Sequence, residues 1–363
     1  MSLPALNVVA RLGRLRASLE GLDAFLVTHL PNVRYLTGFT GSAGTLLVGG
    51  EDALLVTDGR YGEQANEQLG AVGCDARIEV AGTGQRELLA RVLADWGVTR
   101  VGLEAHSVTW AQHDDLAEAV APRELVATRG LVEALRRVKE PGEVARIRTA
   151  CAIADEAFVD VRSMITAHPT ERAVALALEI AMRDLGAQGN SFDPIVASGP
   201  NSAKPHARPT AREIGAGELV VLDFGCIVDG YCSDMSRTVS AGDPGHDARH
   251  VYDVVTESQR AGCGAVRSAV ECAAVDGASR AVIDGAGLGE YFTHGTGHGV
   301  GLEIHEAPKV AASSSDTLAR GHVVTVEPGV YLPGVGGVRI EDTVVVTDEG
   351  ADILTSASKE LVL

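Results

Sequence analysis

Apolar positions along the chain switch between two periods. Residues 3–20 carry Leu6, Val9, Leu12, Leu15 and Leu19 at helical spacing, and residues 24–28 read as a strand that ends at Pro31. Strand-like runs at 45–48, 53–57, 77–80 and 100–103 then alternate with helical runs at 61–69, 85–96 and 110–119, the pattern of an α/β sheet with covering helices. Residues 131–138 read as a linking helix, and KEPGEVARIR opens a longer one with Pro141 in its first turn. The domain boundary is therefore set near 130, dividing the chain into 1–130 and 131–363. Helices follow at 141–166 and 170–185, the second with Thr170 as N-cap and Gly186 closing it. A strand at 193–198 and a hairpin at 218–240 come next, then helices at 248–270 and 275–285, then a hairpin at 321–346. Two helices and a hairpin, twice over, imply a pseudo-twofold α+β domain: a curved antiparallel sheet with helices outside it.

Both hairpins carry acidic residues where a buried strand would not otherwise have them. In GHVVTVEPGVYLPGVGGVRIEDTVVV, Glu327 follows Val323, Val324 and Val326, and Glu341 lies among Val338, Ile340, Val344 and Val346. With the turn centred near Gly334, Glu327 and Glu341 stand opposite one another, their Cβ atoms about 4.5–5.5 Å apart. Two carboxylates so close repel unless a cation or a shared proton intervenes. An acidic pair on a solvated hairpin face is the plain alternative. In ELVVLDFGCIVDGYCSDMSRTVS the two-residue turn Asp229–Gly230 sets Asp234 opposite Gly225, with Asp223 two residues along on the same face. Four acidic residues on two hairpins call for a common cation.

A nitrogen donor comes from FTHGTGHGVGLEIHEAP, which holds His294, His298 and His305 among glycines that allow close backbone approach. It is no dinucleotide loop: no GxGxxG occurs there, position 300 being Val and position 302 Leu. An Asp, Asp, His, Glu, Glu set is oxygen-rich with one imidazole, which suits manganese, cobalt or ferrous iron better than thiolate-selected zinc.

Composition narrows the class. At 363 residues two cores are expected, and a net charge of −18 without a long basic run argues against nucleic acid or an anionic membrane as partner. The six cysteines show no CxxC spacing, so reduced thiols are expected, with Cys226 and Cys232 packing rather than bonding across their turn. No signal-type apolar core and no membrane-length apolar run occurs, which leads to the cytoplasm.

The order LDFG, SDMSRT, GHGVGLEIHE, VEPG and RIEDT resembles the proline-specific metallopeptidases, prolidase and aminopeptidase P, of the pita-bread fold. NSAKPHARP at 201–209 and NVRYLTGFTGSAGTLLV at 32–48 extend the resemblance over the whole chain. It implies an amino-terminal α/β domain followed by a pita-bread catalytic domain with two divalent metals, manganese or cobalt ahead of zinc or iron. Asp223 would hold one metal alone, His298 and Glu327 the other, and Asp234 and Glu341 would bridge both. A water acidified between the metals would attack the bond before proline, in dipeptides or at the amino end of longer peptides, with Glu327 transferring the proton. His305 would donate to the oxyanion, His206 would contact substrate near the scissile bond, His294 would line the proline pocket, and Arg339 would anchor a substrate carboxylate or a metal ligand. A homodimer is implied too, Arg60 and Tyr61 reaching a neighbouring site or serving structure alone. Competing readings are a methionine aminopeptidase or creatinase-like hydrolase on the same fold, and a non-catalytic module that binds a protein partner. The first lacks such an amino-terminal domain, the second typically lacks the ligands present here, and such modules have usually lost ligands.

Overall fold

The computed structural model describes residues 3–363. Its contacts divide into two compact units, Ala5–Arg136 and Arg137–Leu363, the latter joined by Leu3 and Pro4. The division falls after Arg136 rather than near 130 because helix Leu131–Arg137 is fastened to the first unit. There Arg136 donates to Asn32 Oδ1 at 2.7 Å, and the Tyr35 hydroxyl donates to the Leu135 carbonyl at 3.1 Å.

The first unit is a six-stranded mixed sheet in the order Arg77–Val80, Ala53–Thr57, Gly44–Gly49, Ala24–Val27, Arg100–Glu104, Glu124–Thr128. Two of its elements are not evident in the apolar pattern. Pro31 does not merely end a strand but sits in the first turn of helix Leu30–Thr37, where its missing N–H costs nothing. Strand Glu124–Thr128 has no fully buried residue, and its short apolar run Leu125–Val126–Ala127 pairs parallel with Arg100–Glu104. Arg60 pairs with Asp58 at 2.8 Å within its own turn, and the Tyr61 hydroxyl meets Ser42, on another segment of the same unit, at 2.6 Å.

In the second unit each hairpin follows a pair of helices. Pro141–Arg162 and Glu171–Asp184 precede the first, and His246–Ala265 and Cys272–Gly285 the second. Helix Glu171–Asp184 buries Val174, Leu178 and Met182, one apolar stripe, against Phe158 and strand residues Phe224 and Met235. Phe158 stacks on Phe224 with centroids 6.2 Å apart, and its loss to alanine would cost about 3–5 kcal/mol.

The hairpin registers follow their turns. In the first, Asp229 (φ 43°) and Gly230 (φ 76°) make the left-handed two-residue turn, setting Val228 against Tyr231 and Ile227 against Cys232. The same register resumes with Met235 against Phe224 and runs to Ser240 against Leu219. In the second, Val326 pairs with Asp342 and Gly329 with Arg339. Both ladders are interrupted, at Gly225 and Asp234 in one and between Glu327 and Glu341 in the other. The sheet is accordingly a set of short antiparallel ladders, not one continuous surface. All six cysteines are free, Cys226 and Cys232 buried in packing, and no helix among the described residues is long and apolar enough to cross a membrane.

Candidate metal centre

The ladder breaks present their carboxylates to one cavity of about 1410 Å³, lined by Asp223, Asp234, His298, Glu327 and Glu341. Asp234, His298 and Glu341 place one ligand atom each within 4.8 Å of one another. His298 Nε2 lies 3.4 Å from Asp234 Oδ2 and 3.6 Å from Glu327 Oε1, so the fourth ligand joins the group through the imidazole. His298 reaches this point because strand Gly297–Gly299 runs hard against strand Val323–Val326: a Cβ on Gly297 would meet the Thr325 carbonyl oxygen at 2.0 Å. Its Nδ1 faces the Gly299 carbonyl at 3.0 Å, a contact that demands a proton on Nδ1 and leaves Nε2 as the nitrogen that could meet a metal.

Asp223 stands apart from that group because one of its oxygens is taken. Arg339, 3 % exposed, donates to Asp223 Oδ2 at 2.5 Å, to Ser236 Oγ at 2.9 Å, to the Tyr331 hydroxyl at 2.7 Å and to the Pro205 carbonyl at 3.1 Å. Four hydrogen bonds engage all three of its side-chain nitrogens, and its head is buried. Of the two contacts the sequence allows it, the one to Asp223 is present. Ser236 in turn donates to Glu341 Oε2 at 2.9 Å, so one guanidinium organises ligands from both hairpins.

The remaining oxygens test whether a metal fits. Among the described residues, Asp223 Oδ1 and Glu341 Oε1 are the only buried carboxylate oxygens without a hydrogen-bond partner. A buried ionised oxygen without a donor is strongly unfavourable, and a cation is the missing partner. Burial pushes Asp234 up to about 6 and Glu327 up to about 7, and Glu341 well above the usual carboxylate range, the neighbouring acids adding to each. His298 moves oppositely: burial would lower it, but the Asp234 hydrogen bond and the charge of Glu327 carry it up to about 9. Carboxylates that repel one another and an imidazole that gains charge among them are a cluster short of positive charge. The donor set fits divalent cations.

The other histidines differ in their freedom. His294 has both nitrogens engaged, Nδ1 with the Gly295 carbonyl at 2.8 Å and Nε2 with the Tyr331 hydroxyl at 2.9 Å, and burial holds it down at about 4. It lines the cavity as a neutral ring between Phe292 and Tyr331. His305 is exposed, its ring edge-on to His298 with centroids 4.3 Å apart and its nitrogens without a partner among the described residues. His206 is exposed on the loop between strand Ile195–Ser198 and Thr210 and lines the same cavity. Lys309 joins the lining as the register partner of His298. It lies on a strand, Glu306–Val310, that reads as loop from its glycine-rich approach. Tyr331, which links Arg339 to His294, carried no signal beyond strand propensity.

The chain is similar to known proteins over both units. Residues 145–348 match the model of Metallopeptidase family M24, and residues 11–138 match the Creatinase/Prolidase N-terminal domain. A Xaa-Pro dipeptidase of Pyrococcus horikoshii is 34% identical over 94% of this chain and 95% of its own. The structure of a Xaa-Pro dipeptidase from Bacillus anthracis superposes with a TM-score of 0.94 at 40% identity, covering 98% of this chain and 100% of that one. An X-Pro aminopeptidase from Thermotoga maritima gives 0.89 at 34% identity, over 96% and 99%.

Proposed function

The chain belongs to metallopeptidase family M24, an amino-terminal domain followed by the pita-bread catalytic domain, and from this premise we propose that it hydrolyses the peptide bond before proline. It is a metallo-exopeptidase of the Xaa-Pro dipeptidase and aminopeptidase class. The observation that carries the reading is the pair of buried, unpartnered carboxylate oxygens, Asp223 Oδ1 and Glu341 Oε1, in a cluster of four acids and one imidazole.

Asp223, Asp234, His298, Glu327 and Glu341 would hold two divalent cations. When bound, these supply Lewis acidity, making a water ionisable near neutral pH and polarising the scissile carbonyl. Glu327 takes the proton released as water adds to the carbonyl carbon and delivers it to the proline nitrogen as the C–N bond breaks, leaving a carboxylic acid and a secondary amine. His305, with free ring nitrogens beside His298, donates to the oxygen on which negative charge develops. His206 contacts the substrate near the scissile bond. The neutral ring of His294, fixed by Tyr331, forms a wall for the proline ring. Lys309, exposed on the lining, supplies a cation for a substrate carboxylate, whereas the buried Arg339 is turned to Asp223.

Manganese or cobalt suits four carboxylates and one imidazole. Six free thiols support a cytoplasmic setting, and the family resemblance supports a homodimer, to be measured by light scattering at assay concentration. The deciding experiment is hydrolysis of Ala-Pro, Ala-Pro-Ala and Ala-Ala by protein stripped with chelator and reloaded with manganese. Cleavage of the proline peptides alone is expected. Cleavage of Ala-Ala at a comparable rate would favour a non-proline aminopeptidase, and no cleavage with metal bound would favour a partner-binding module.

A further inference from the structure

Glu171 opens helix Glu171–Asp184 behind a Thr170 N-cap, where an acid ordinarily points to solvent and favours the helix dipole. Here it is 0 % exposed. Its carboxylate collects donors from two places far apart in sequence. Oε1 accepts from the Ser198 amide at 2.7 Å, the Ser198 hydroxyl at 2.9 Å and the Asn201 side chain at 3.1 Å. Oε2 accepts from the Thr210 amide at 3.0 Å, the Thr210 hydroxyl at 2.6 Å and again Asn201 at 3.2 Å. Ser198 and Thr210 bracket the segment 199–209, so one carboxylate ties both ends of a single loop.

That loop carries His206. Its middle is also held: Ser202 Oγ accepts from the Gly337 amide at 2.8 Å, and the Pro205 carbonyl accepts from Arg339 at 3.1 Å. The latter contact links the residue next to His206 to the guanidinium that orients Asp223. Arg212 closes the arrangement from outside, donating to Ser198 Oγ at 2.8 Å and pairing with Glu218.

We propose that Glu171 is a positioning residue for His206, closing the loop 199–209 so that the imidazole meets substrate at a fixed place beside the metal ligands. The inference rests on the substrate-contacting role of His206. A carboxylate is needed because every group facing it is a donor. An amide of the same shape must turn its own NH₂ toward either Ser198 or Thr210, releasing one end of the loop.

The test is a double-mutant cycle in the metal-loaded full-length protein. Glu171→Gln is expected to keep metal content while kcat falls ~10- to 100-fold, the scale on which a displaced reacting group acts. Amide exchange should rise within 198–210. In a His206→Ala background the same substitution should change kcat less than about twofold, since the group it positions is gone. An equal loss in both backgrounds, or unchanged exchange in 198–210, overturns the inference and leaves the role of His206 standing. Full activity of His206→Ala overturns that role, and the inference with it. Should Glu171→Gln fail to fold, Thr210→Val removes one donor from one end of the loop and enters the same cycle.

Discussion

The Arg339 guanidinium meets the Asp223 carboxylate at 2.5 Å across two hairpins, joining a strand of the second to a strand of the first. Breaking such a buried pair leaves an uncompensated charge worth about 3–5 kcal/mol of stability. Arg339→Met should therefore lower thermal stability and weaken metal binding about 10- to 100-fold, as loss of a ligand-orienting contact does. Calorimetric titration with manganese reads the effect. Native affinity in a folded variant would show that Asp223 needs no such support.

Metal should stabilise the fold as well as activate it. A cation binding the native state alone adds about 2.7 kcal/mol at a hundred times its Kd, so the melting temperature of chelator-treated protein should climb with added manganese. Asp234→Asn separates charge from shape. Without metal it should melt at or above the native temperature, because an ionised Asp234 stands among other buried acids. With metal it should gain little, and metal analysis should find both sites depleted. Full stabilisation of the variant by manganese would remove Asp234 from the ligand set.

His305→Ala and His298→Ala should fail in different ways. The first should keep its metals and a nearly native KM while kcat falls about 10²- to 10³-fold, the loss of an interaction made only in the transition state. The second should lose metal. A raised KM with kcat intact in His305→Ala would make it a ground-state contact and move the oxyanion donor to His206 or the metals.

Glu171 also sets an acid limit. Burial alone would raise its pKa, but the donors of Thr210, Ser198 and Asn201 outweigh it and hold the carboxyl below the usual range. A carboxylate with a depressed folded pKa contributes stability that is present above its unfolded value of about 4.3 and is lost as pH falls through the folded one. Glu171→Gln should thus be destabilised at pH 7, by about 1–3 kcal/mol, with the gap to the native protein closing below pH 4. Denaturant titrations at pH 7, 5 and 3.5 measure it, and a gap independent of pH would refute the ionic form of the contact.

Local chemistry made much of this site legible before any coordinates. The Asp229–Gly230 turn sets a register that persists to Leu219 and Ser240, and a turn near Gly334 sets the one that brings Glu327 and Glu341 level. Both follow from turn type and side-chain alternation within one hairpin. What stays hidden is what depends on contact between elements. Arg339 looks the same in sequence whether it faces substrate or Asp223, and only burial decides. Glu171 looks like an ordinary first-turn acid, since its donors lie 27 to 39 residues away. Helix Leu30–Thr37 was obscured because Pro31 stops a strand and starts a helix with equal ease.

The interruptions in the two hairpin ladders have a consequence for how the chain tolerates change in length. In the second hairpin the inner ladder, Val323–Val326 against Asp342–Val346, levels the glutamates without help from the tip beyond them. Two residues inserted symmetrically at that tip would leave both glutamates in place and keep Arg339 on its own face. One residue inserted between Arg339 and Glu341 would reverse the facing of Arg339 relative to Glu341 and turn it from Asp223, while Glu341 stayed put on the inner ladder. The site is thus buffered against drift in the outer turn, and the span it cannot let change is the two-residue step from Arg339 to Glu341 that connects the two hairpins.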